Sequence, residues 1–241
     1  MRIALISDVH GNLVALEAVL AQLKGHSPDQ IACLGDVASL GPYPVECIER
    51  LESEKIPVVL GNADAWLLSP VTIDRTEAET EKWEEIELWC VEQLGDKHRQ
   101  ILESYPMTLS IQASDDVSML CFHGTPEAPT QIIDANTPQN KLQAIFDETN
   151  ESLLAGGHTH TQILRHFDEK MLMNPGSVGL PHAERIGKIV NPLWAEYMLV
   201  DVDKKVVDVT FKHALVDHQK LIDATKATQM PNIDFWLDDW A

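Results

Sequence analysis

Five segments of the sequence carry side chains of metal-binding types, and in each segment these side chains follow an apolar run. The set comprises Asp8 and His10, Asp36, Asn62 and Asp64, His123, and His158 and His160. Carboxylates, imidazoles and an amide, without thiolates, suit divalent Mn, Fe, Ni or Zn ions rather than a structural cysteine zinc site. The set is too large for one ion, so the sequence predicts a centre of two divalent metal ions.

Two ions that lie about 3.5 to 4 Å apart need a carboxylate that binds both of them. Asp36, in the segment Cys-Leu-Gly-Asp-Val, is predicted to be this bridging residue. Asp8 and His10 are two residues apart, and side chains at that spacing share one face of an extended strand. We therefore expect both of them to reach the same ion from the end of a strand.

The apolar runs before these side chains predict the strands that position them. The runs are short and rich in β-branched residues, and they span residues 3–6, 31–34, 56–60, 117–122 and 153–155. Amphipathic helices are predicted between the first three runs, one after Asn12 and one over residues 44–54. Because parallel α/β sheets carry their sites at the carboxyl ends of strands, we expect all five segments to converge at one sheet edge.

The second half of the sequence shows a different pattern. Apolar runs separated by short polar turns predict antiparallel hairpins in a second, mostly antiparallel sheet or half-sheet, over residues 163–167, 170–173, 197–202 and 206–215. Residues 1–241 are predicted to form a single domain with an acidic helical cap segment at about 66–105. The acidic C-terminal tail carries Trp236 and Trp240, and it is predicted either to dock as a terminal helix or to mediate homo-oligomer formation.

The composition excludes several classes of partner. The formal net charge is −20, which argues against an extended nucleic-acid interface, because such interfaces depend on many Lys and Arg contacts. A small anionic substrate would need a local positive centre. The four cysteines form no CxxC pair and are predicted to be reduced thiols. Neither a signal peptide nor a membrane span is indicated, so we expect a cytoplasmic protein without membrane contact.

The order and spacing of the polar motifs resemble the calcineurin-like metallophosphoesterase superfamily. The motifs that carry the resemblance are Asp8-Val9-His10, Gly35-Asp36, Gly61-Asn62, His123 and Gly157-His158-Thr159-His160. The similarity extends from residue 3 to about residue 180, and the run Asn-Pro-Gly-Ser-Val-Gly-Leu-Pro from Asn174 is similar to the small phosphodiesterases of the YfcE-like branch. Any one motif would be a weak signal, whereas the ordered combination is specific.

The resemblance implies a fold, a ligand set and an activity. The fold would be of the α/β class, a two-sheet β-sandwich flanked by helices in four αββα layers. A phosphoesterase of this family uses a hydroxide activated by a two-metal centre for in-line attack on phosphorus. The implied ligands are Asp8, His10 and His160 for one metal, Asn62, His123 and His158 for the other, and Asp36 between them.

One position departs from the pattern of the superfamily. Where many members have Gly-Asn-His, this chain has Gly61-Asn62-Ala63, followed by Asp64. The missing histidine is thought to stabilise the transition state or to protonate the leaving group. A positioned general acid contributes typically about 10² to 10⁴-fold to a rate, and an alanine side chain cannot act as one. The loss should affect poor leaving groups most, which favours small phosphodiesters, such as nucleotide diesters, or activated esters. Asn62 and Asp64 remain as catalytic candidates, and Asp64 is predicted either to orient Asn62 or a water or to cap the following segment.

Asn12 and His182 are the candidate substrate-binding residues. Asn12 is predicted to cap a helix, and a helix N-terminus also favours a phosphate group. His182 stands where relatives often have an arginine after the last proline of the Asn174 motif. That motif is predicted to be either a structural loop beneath the metals or a substrate contact, because its glycines permit tight turns.

Two functions of different classes follow from these motifs. The first is a metal-dependent phosphoesterase that acts on a small anionic phosphoester. The second is a non-catalytic scaffold. The superfamily includes Vps29-like subunits that lack the histidine of the Gly-Asn-His motif, and Ala63 takes the place of that histidine here. The intact ligand set favours the enzyme, because burying three or more histidines with two aspartates in the absence of metal would be unfavourable.

Overall fold

Two β-sheets packed face to face, with helices on their outer sides, form the core of the protein. The structure is a computed structural model, and it describes residues 1–71, 78–185 and 188–240. The layers are helices, a four-stranded sheet, a five-stranded sheet and a further helix with its loops. This architecture confirms the predicted fold class, a two-sheet sandwich flanked by helices.

The first sheet joins the start of the chain to its C-terminal hairpin. Its strands are β1 (Arg2–Ile6), β2 (Gln30–Cys33), β10 (Trp194–Asp203) and β11 (Val206–Leu215). Strand β1 pairs in parallel with β2 and antiparallel with β10, which in turn pairs antiparallel with β11, in the order β11-β10-β1-β2. The sheet is therefore mixed, with β11 at one edge.

The second sheet is built from the middle of the chain. Its strands are β3 (Leu109–Gln112), β4 (Ser118–Cys121), β5 (Leu153–Ala155), β6 (Ile163–Phe167) and β7 (Lys170–Asn174), in the order β3-β4-β5-β7-β6. Strands β4, β5 and β7 are parallel, whereas β3 and β6 are antiparallel to their neighbours. A separate hairpin pairs β8 (Ala183–Arg185) with β9 (Lys188–Val190).

Eight helices lie within the described residues. They are α1 (Leu13–His26), α2 (Pro44–Ser53), α3 (Asn62–Leu68), α4 (Ala78–Gln93), α5 (Asp96–Glu103), α6 (Gln139–Ile145), α7 (His218–Lys226) and α8 (Ile233–Asp238). Helix α1 begins after Asn12, whose Oδ1 accepts a hydrogen bond from the Ala15 N–H. This contact satisfies one of the N–H groups that a helix start leaves unpaired. The predicted helices after Asn12 and over residues 44–54 are thus present.

The core explains why β1 is apolar from Ile3 to Ile6. Ala4 and Ile6 face the cluster beneath helices α1 and α2, whereas Ile3 and Leu5 face the cluster between the two sheets. Side chains of a strand alternate between its faces, so a strand that is buried on both sides reads as a continuous apolar run. The same burial holds the end of β1, where the candidate ligands begin, at the centre of the molecule.

Two predictions about the strands were wrong. Residues 56–60 do not form a strand, because the segment makes only an isolated parallel bridge between Val58 and Cys33. Pro57 has no N–H to donate, which limits the ladder at this point. The five N-terminal runs also do not share one sheet, since β1 and β2 lie in the first sheet and β4 and β5 in the second.

The late strands were also predicted to form a sheet of their own, and they do not. Strands β10 and β11 extend the first sheet, whereas β6 and β7 extend the second. The turn signals identified the hairpins correctly, but hairpins can join any sheet edge that offers unpaired backbone groups. Long-range pairing of β10 with β1 therefore decided the assignment.

The predicted cap segment and the tail both pack against the hydrophobic cluster that lies beneath helices α1 and α2. Helices α3, α4 and α5 cover the cap region, of which residues 72–77 lie outside the described residues. In the tail, Trp236 and Trp240 are buried, and Trp236 Nε1 donates a hydrogen bond to the Leu40 carbonyl at 2.8 Å. The two tryptophans of the tail are thus packed against other residues of the same chain. Across the described residues, no helix combines the length and apolar character that a membrane crossing requires.

Candidate metal centre

The loops after β1 and β2 are joined backbone to backbone, and this pairing starts the site. The N–H of Asp8 donates to the Gly35 carbonyl at 3.0 Å, and the N–H of His10 donates to the Asp36 carbonyl at 2.9 Å. The loop after β1 and the loop after β2 therefore run side by side beyond the ends of their parallel strands. The pairing therefore fixes the first aspartate and histidine beside the second aspartate.

Five of the seven candidate ligands have a left-handed backbone. Their φ angles are 54° for Asp8, 45° for His10, 54° for Asp36, 71° for His158 and 52° for His160. Positive φ is uncommon in residues other than glycine, and such residues cluster at functional sites where the surrounding contacts hold them. The prediction that Asp8 and His10 lie on an extended strand end is thus wrong. They meet through a turn in which both residues are left-handed.

The first group of ligand atoms is formed by Asp8, His10 and His160. The two imidazoles point their Nε2 atoms at each other at 3.0 Å, and His160 Nε2 lies 3.3 Å from Asp8 Oδ1. Asp8 and His10 are buried, and Asp8 Oδ1 has no hydrogen-bond partner. A buried carboxylate oxygen without a donor, facing two imidazole nitrogens, has the chemistry of a metal ligand.

The second group is formed by Asp36, His123 and His158. His123 Nε2 lies 3.2 Å from Asp36 Oδ2 and 2.9 Å from Asn62 Oδ1, and the rings of His123 and His158 are 5.1 Å apart. Asn62 is the first residue of helix α3, so its amide enters the site from a third element. The structure therefore brings together all four residues that were predicted for this side.

Asp36 lies between the two groups. Its Oδ2 is 3.2 Å from His123 in the second group and 3.8 Å from His10 in the first. Its other oxygen, Oδ1, accepts a hydrogen bond from the Ala63 N–H at 2.8 Å, which fixes the carboxylate plane. This is the position that a carboxylate shared by two ions would take.

Backbone carbonyls orient two of the imidazoles. His123 Nδ1 is 2.6 Å from the Leu34 carbonyl, and His160 Nδ1 is 2.7 Å from the Leu180 carbonyl. A carbonyl can only accept, so each Nδ1 carries the proton and donates it. When these rings are neutral, each Nε2 keeps its lone pair directed into the site, as ligating histidines in metal sites usually do.

The charges in the site favour bound cations. Burial opposes ionisation of Asp8, but the nearby positive charge of His160 outweighs burial and holds the Asp8 pKa below its usual value. The pKa of Asp36 is also lowered, because His123 outweighs the effect of burial. Burial lowers the pKa of His10 to about 4, so this imidazole is neutral near pH 7. Against the opposing effect of burial, Asp36 raises the pKa of His123 to about 10 and Asp8 raises the pKa of His160. The two buried, ionised carboxylates thus attract positive charge, and divalent ions would bind them in place of the protons on these imidazoles.

Asp64 braces the loops and does not face the ligand atoms. Its Oδ1 accepts hydrogen bonds from the N–H groups of Val37 and Ala38 at 2.9 and 3.3 Å, and its Oδ2 accepts one from Gly61 at 3.3 Å. The side chain is fully buried. The structure therefore favours the capping alternative for Asp64 over direct contact with substrate or water.

The two predicted substrate-binding residues lie in different surroundings. Asn12 is fully buried, and its Nδ2 donates to the Gly179 carbonyl at 3.0 Å while its Oδ1 caps helix α1. Both polar groups are used within the chain, which supports the cap role and leaves no atom of Asn12 open to a substrate. His182, in contrast, is exposed, and its ring centre is 4.7 Å from that of His160.

The motif from Asn174 was predicted to be either a structural loop beneath the metals or a substrate contact, but the contacts of its individual residues were not predicted. Ser177 Oγ donates to the Asp8 carbonyl at 2.8 Å, and Asn174 Nδ2 donates to the Gly157 carbonyl at 2.6 Å. The N–H of Gly179 also donates to the Asp8 carbonyl at 2.9 Å. The motif from Asn174 was the available signal, and it acts as the structural loop that ties the first ligand segment to the fifth.

Comparisons with known proteins show the family of the chain. Residues 1–205 match the family model described as the calcineurin-like phosphoesterase superfamily domain. The uncharacterized protein MJ0912 of Methanocaldococcus jannaschii is 30% identical over 195 residues, which cover 74% of this chain and 76% of that protein.

Two solved structures resemble the whole chain. The metallophosphoesterase from Sphaerobacter thermophilus aligns with a TM-score of 0.72 and 28% identity, over 99% of this chain and 98% of its own. The phosphoesterase YfcE from E. coli aligns over 90% of this chain and 100% of its own, with a TM-score of 0.50 and 22% identity, and so shares the fold. The motifs, the paired ligand groups and the family match together show that the chain belongs to the calcineurin-like phosphoesterase superfamily.

Proposed function

We propose that the protein is a metal-dependent phosphodiesterase that hydrolyses small phosphodiesters at a centre of two divalent ions. The observation that carries this proposal is the pair of adjacent ligand groups with Asp36 between them. Asp8, His10 and His160 would hold one ion, and Asn62, His123 and His158 the other. The ions would supply an activated hydroxide and neutralise phosphoryl oxygens.

The ligand residues would position the ions, and the ions would allow this acidic protein to bind an anionic substrate. The chain carries a net charge of −20, so an anionic substrate needs a local excess of positive charge. Asp8 and Asp36 are the two carboxylates among the ligands, and both are buried. Two divalent ions bring four positive charges against these two negative ones, which leaves a positive centre for a phosphoester.

Ala63 supports a preference for diesters. Its side chain is a methyl group, and its N–H is already donated to Asp36 Oδ1. The position therefore supplies no proton to a leaving group. An alkoxide leaving from a monoester requires such help most, because the loose transition state places charge on the departing oxygen. Diesters and activated esters with better leaving groups are the substrates that this site would hydrolyse.

A small cavity beside the first ligand group suggests where part of the substrate would bind. The cavity has a volume of about 70 Å³, and its lining includes Trp83, Leu180, His182 and Asn191. His182 is the link to the metal centre, because its ring packs against that of His160. Trp83 comes from α4, so the cap segment would contribute to substrate selection.

A non-catalytic scaffold is the second candidate. Its support is Ala63, since the Vps29-like members of the superfamily lack the same histidine. The completeness of the ligand groups favours the enzyme, because a scaffold has no need to keep two ionised carboxylates buried among imidazoles. The four cysteines are free and buried, which supports the proposal of a reducing, cytoplasmic location.

The proposal is tested by metal content and substrate preference. The purified protein is analysed by elemental mass spectrometry, and then assayed with bis-p-nitrophenyl phosphate and p-nitrophenyl phosphate in Mn²⁺, Fe²⁺, Ni²⁺ and Zn²⁺. We expect about two bound ions per chain and a higher kcat/KM for the diester. Asp36→Asn should lose both metal and turnover, whereas Asp147→Asn, at an exposed carboxylate, should keep both.

The outcomes separate the two candidates. Bound metal without metal-dependent turnover of either ester would favour the scaffold. Equal or greater efficiency on the monoester would contradict the diester preference while leaving a phosphoesterase in place.

A further inference from the structure

Strand β11 is a long sheet edge with no strand paired on its outer side among the described residues. It spans Val206–Leu215, ten residues, whereas the other edge strands β2, β3 and β6 have four or five. Its register with β10 is continuous from Trp194↔Leu215 to Asp203↔Val206, without a bulge. The strand also contains no proline. Long regular edges of this kind are normally shielded, because their unpaired backbone groups bind other strands.

The hydrogen bonds at the end of the strand show which backbone groups face outward. The N–H of Val216 donates to the Leu193 carbonyl at 3.0 Å, which makes these two residues a hydrogen-bonded pair. In an antiparallel ladder such pairs recur at every second residue. Even-numbered residues of β11 therefore bond to β10, and odd-numbered ones present their N–H and C=O groups to the free edge. The Gln22 side chain agrees, since its Nε2 reaches the His213 carbonyl at 3.4 Å.

The charge of this edge differs from that of the rest of the chain. Residues 203–215 contain three lysines and two aspartates, a net charge of +1 within a chain of net charge −20. The edge also exposes apolar side chains, since Val206 is 66% and Phe211 36% exposed. An acidic protein would repel a copy of itself over most of its surface, but not along this strand.

We infer that β11 pairs antiparallel with β11 of a second copy of this chain, about a two-fold axis at Thr210. In this register Asp208 lies directly opposite Lys212 of the second copy, and the symmetry repeats the pair. On the other face Val209 lies opposite Phe211 of the second copy, also twice. Directly opposite residues of unlike charge, and aromatic residues opposite β-branched ones, stabilise antiparallel pairs.

Other two-fold registers fit the edge less well. Centring the axis on Val209 sets Asp208 opposite Thr210 and Lys212 opposite Val206, and centring it on Phe211 sets Asp208 opposite Ala214. Only the Thr210 register places each charge opposite its complement. It also makes Val207–His213 and Val209–Phe211 the hydrogen-bonded pairs, as the outward direction of the odd-numbered residues requires. The two copies would form one continuous eight-stranded sheet, which is an isologous interface.

This inference is independent of the proposed phosphodiesterase activity, because no residue of β11 belongs to the metal centre. The pairing buries one strand per copy, so we expect a modest affinity. The association is therefore measured by sedimentation equilibrium over a concentration series, with the circular dichroism spectrum as a check that each variant is folded.

The first experiment is symmetric cross-linking. In the Thr210 register the two Thr210 Cα atoms form a non-hydrogen-bonded pair at about 4.5 Å, within reach of a disulfide. Thr210→Cys should therefore give a disulfide-linked dimer on oxidation. Val209→Cys and Phe211→Cys are the matched controls, because each lies two residues from its own copy and beyond bridging distance. The four native cysteines are buried, and the wild type should stay monomeric on a denaturing gel. Cross-linking of a control in place of Thr210→Cys would overturn the register.

The second experiment is charge reversal. Asp208→Lys and Lys212→Asp each convert both ion pairs into like-charge pairs, and each should raise the dimer Kd by about tenfold or more. The double variant Asp208→Lys/Lys212→Asp restores the complementarity and should return the Kd to near the wild-type value. A wild type that stays monomeric at high concentration would overturn the inference. A dimer whose Kd is unchanged by both single reversals would also overturn it. So would the finding that β11 pairs with another protein and not with a second copy of this chain.

Discussion

The backbone conformation of single residues is what brings the candidate ligands together. Asp8, His10 and Asp36 have positive φ, and each is followed by hydrogen bonds that hold its loop. A left-handed residue costs about 1 kcal/mol or more unless the fold compensates. Here the compensation comes from buried contacts, among them the Ser177 hydrogen bond to the Asp8 carbonyl. Strain at the ligands and bracing around them are thus two parts of the same arrangement.

Asp64 provides a test of that bracing. Asp64→Ala would leave the N–H groups of Val37, Ala38 and Gly61 without their acceptor. We expect a loss of about 3 kcal/mol in the free energy of unfolding, since buried unsatisfied groups cost about 1 to 3 kcal/mol each and the loop can relax in part. Urea unfolding measures the loss, and bound metal should fall with it.

Asp64→Asn is the informative control for this residue. It keeps one carbonyl oxygen as an acceptor, so its stability should lie between those of the wild type and the alanine variant. If Asp64→Asn instead kept full stability and bound metal but lost turnover, Asp64 would have a direct catalytic role and the bracing account would be wrong.

Glu196 gives a prediction about pH. Burial raises the pKa of this carboxyl to about 7, with Trp194 and His213 as its polar neighbours. The folded state holds the proton more tightly than the unfolded chain, so stability falls as pH rises from the ordinary pKa of 4.5 to about 7. Glu196→Gln should therefore raise the free energy of unfolding at pH 8, by at most about 3 kcal/mol at 1.36 kcal/mol per pH unit, and change it little at pH 5.

Urea unfolding at both pH values measures this difference. Glu169→Gln, at an exposed position, serves as the control and should change stability at neither pH. Equal stabilisation by Glu196→Gln at pH 5 and pH 8 would show that the effect is not ionisation of this carboxyl.

At the scale of elements, the junction between the loop after β2 and helix α3 is one of the tightly packed parts of the site. A Cβ atom on Gly61 would overlap the side chain and backbone N of Asp36. Gly61 has an ordinary φ of −85°, so its lack of a side chain serves close approach rather than an unusual conformation. The resemblance to the superfamily included this glycine, but only the structure shows that it contacts Asp36.

The substitution Gly61→Ala is therefore expected to disturb Asp36. It should lower both thermal stability and bound metal, because the added methyl group displaces the carboxylate or separates the two loops. The matched control is Gly25→Ala in helix α1, where an added Cβ has no neighbour within 4 Å. That change should raise stability by up to about 1 kcal/mol, since alanine favours helix more than glycine does. Similar behaviour of the two variants in thermal unfolding and metal analysis would contradict the packing argument.

At the scale of the whole molecule, the two candidate ligand groups lie where the two sheets meet. The first sheet contributes the loops of Asp8 and Asp36, and the second contributes His123 and His158 at the ends of β4 and β5. Ions bound between these loops would link segments that are more than 100 residues apart in sequence. Binding should therefore stabilise the whole fold rather than one loop.

Metal removal tests this coupling. A ligand that binds only the folded state at about 100 times its Kd adds about 2.7 kcal/mol of stability. For a chain of this size, each kcal/mol corresponds to about 2 to 4 °C in Tm. Treatment with EDTA should thus lower Tm by about 5 to 10 °C, and Mn²⁺ should restore it. Asp36→Asn should show little response to either addition. A wild-type Tm that is insensitive to both would argue against metal binding by the folded protein.

The sequence by itself determined the chemistry of the site and the class of the fold. Ligand types, their order and their position after apolar runs are local properties, and the resemblance to the superfamily depends on them. The tertiary structure decided how those segments meet. It placed β1 and β4 in different sheets, made residues 56–60 a single bridge, and used both polar groups of Asn12 within the chain. It also set the left-handed ligands against the loop from Asn174 and left β11 as an open edge. These features depend on hydrogen bonds and packing between residues far apart in the chain, and a local pattern carries no record of which distant backbone a strand or loop will bind.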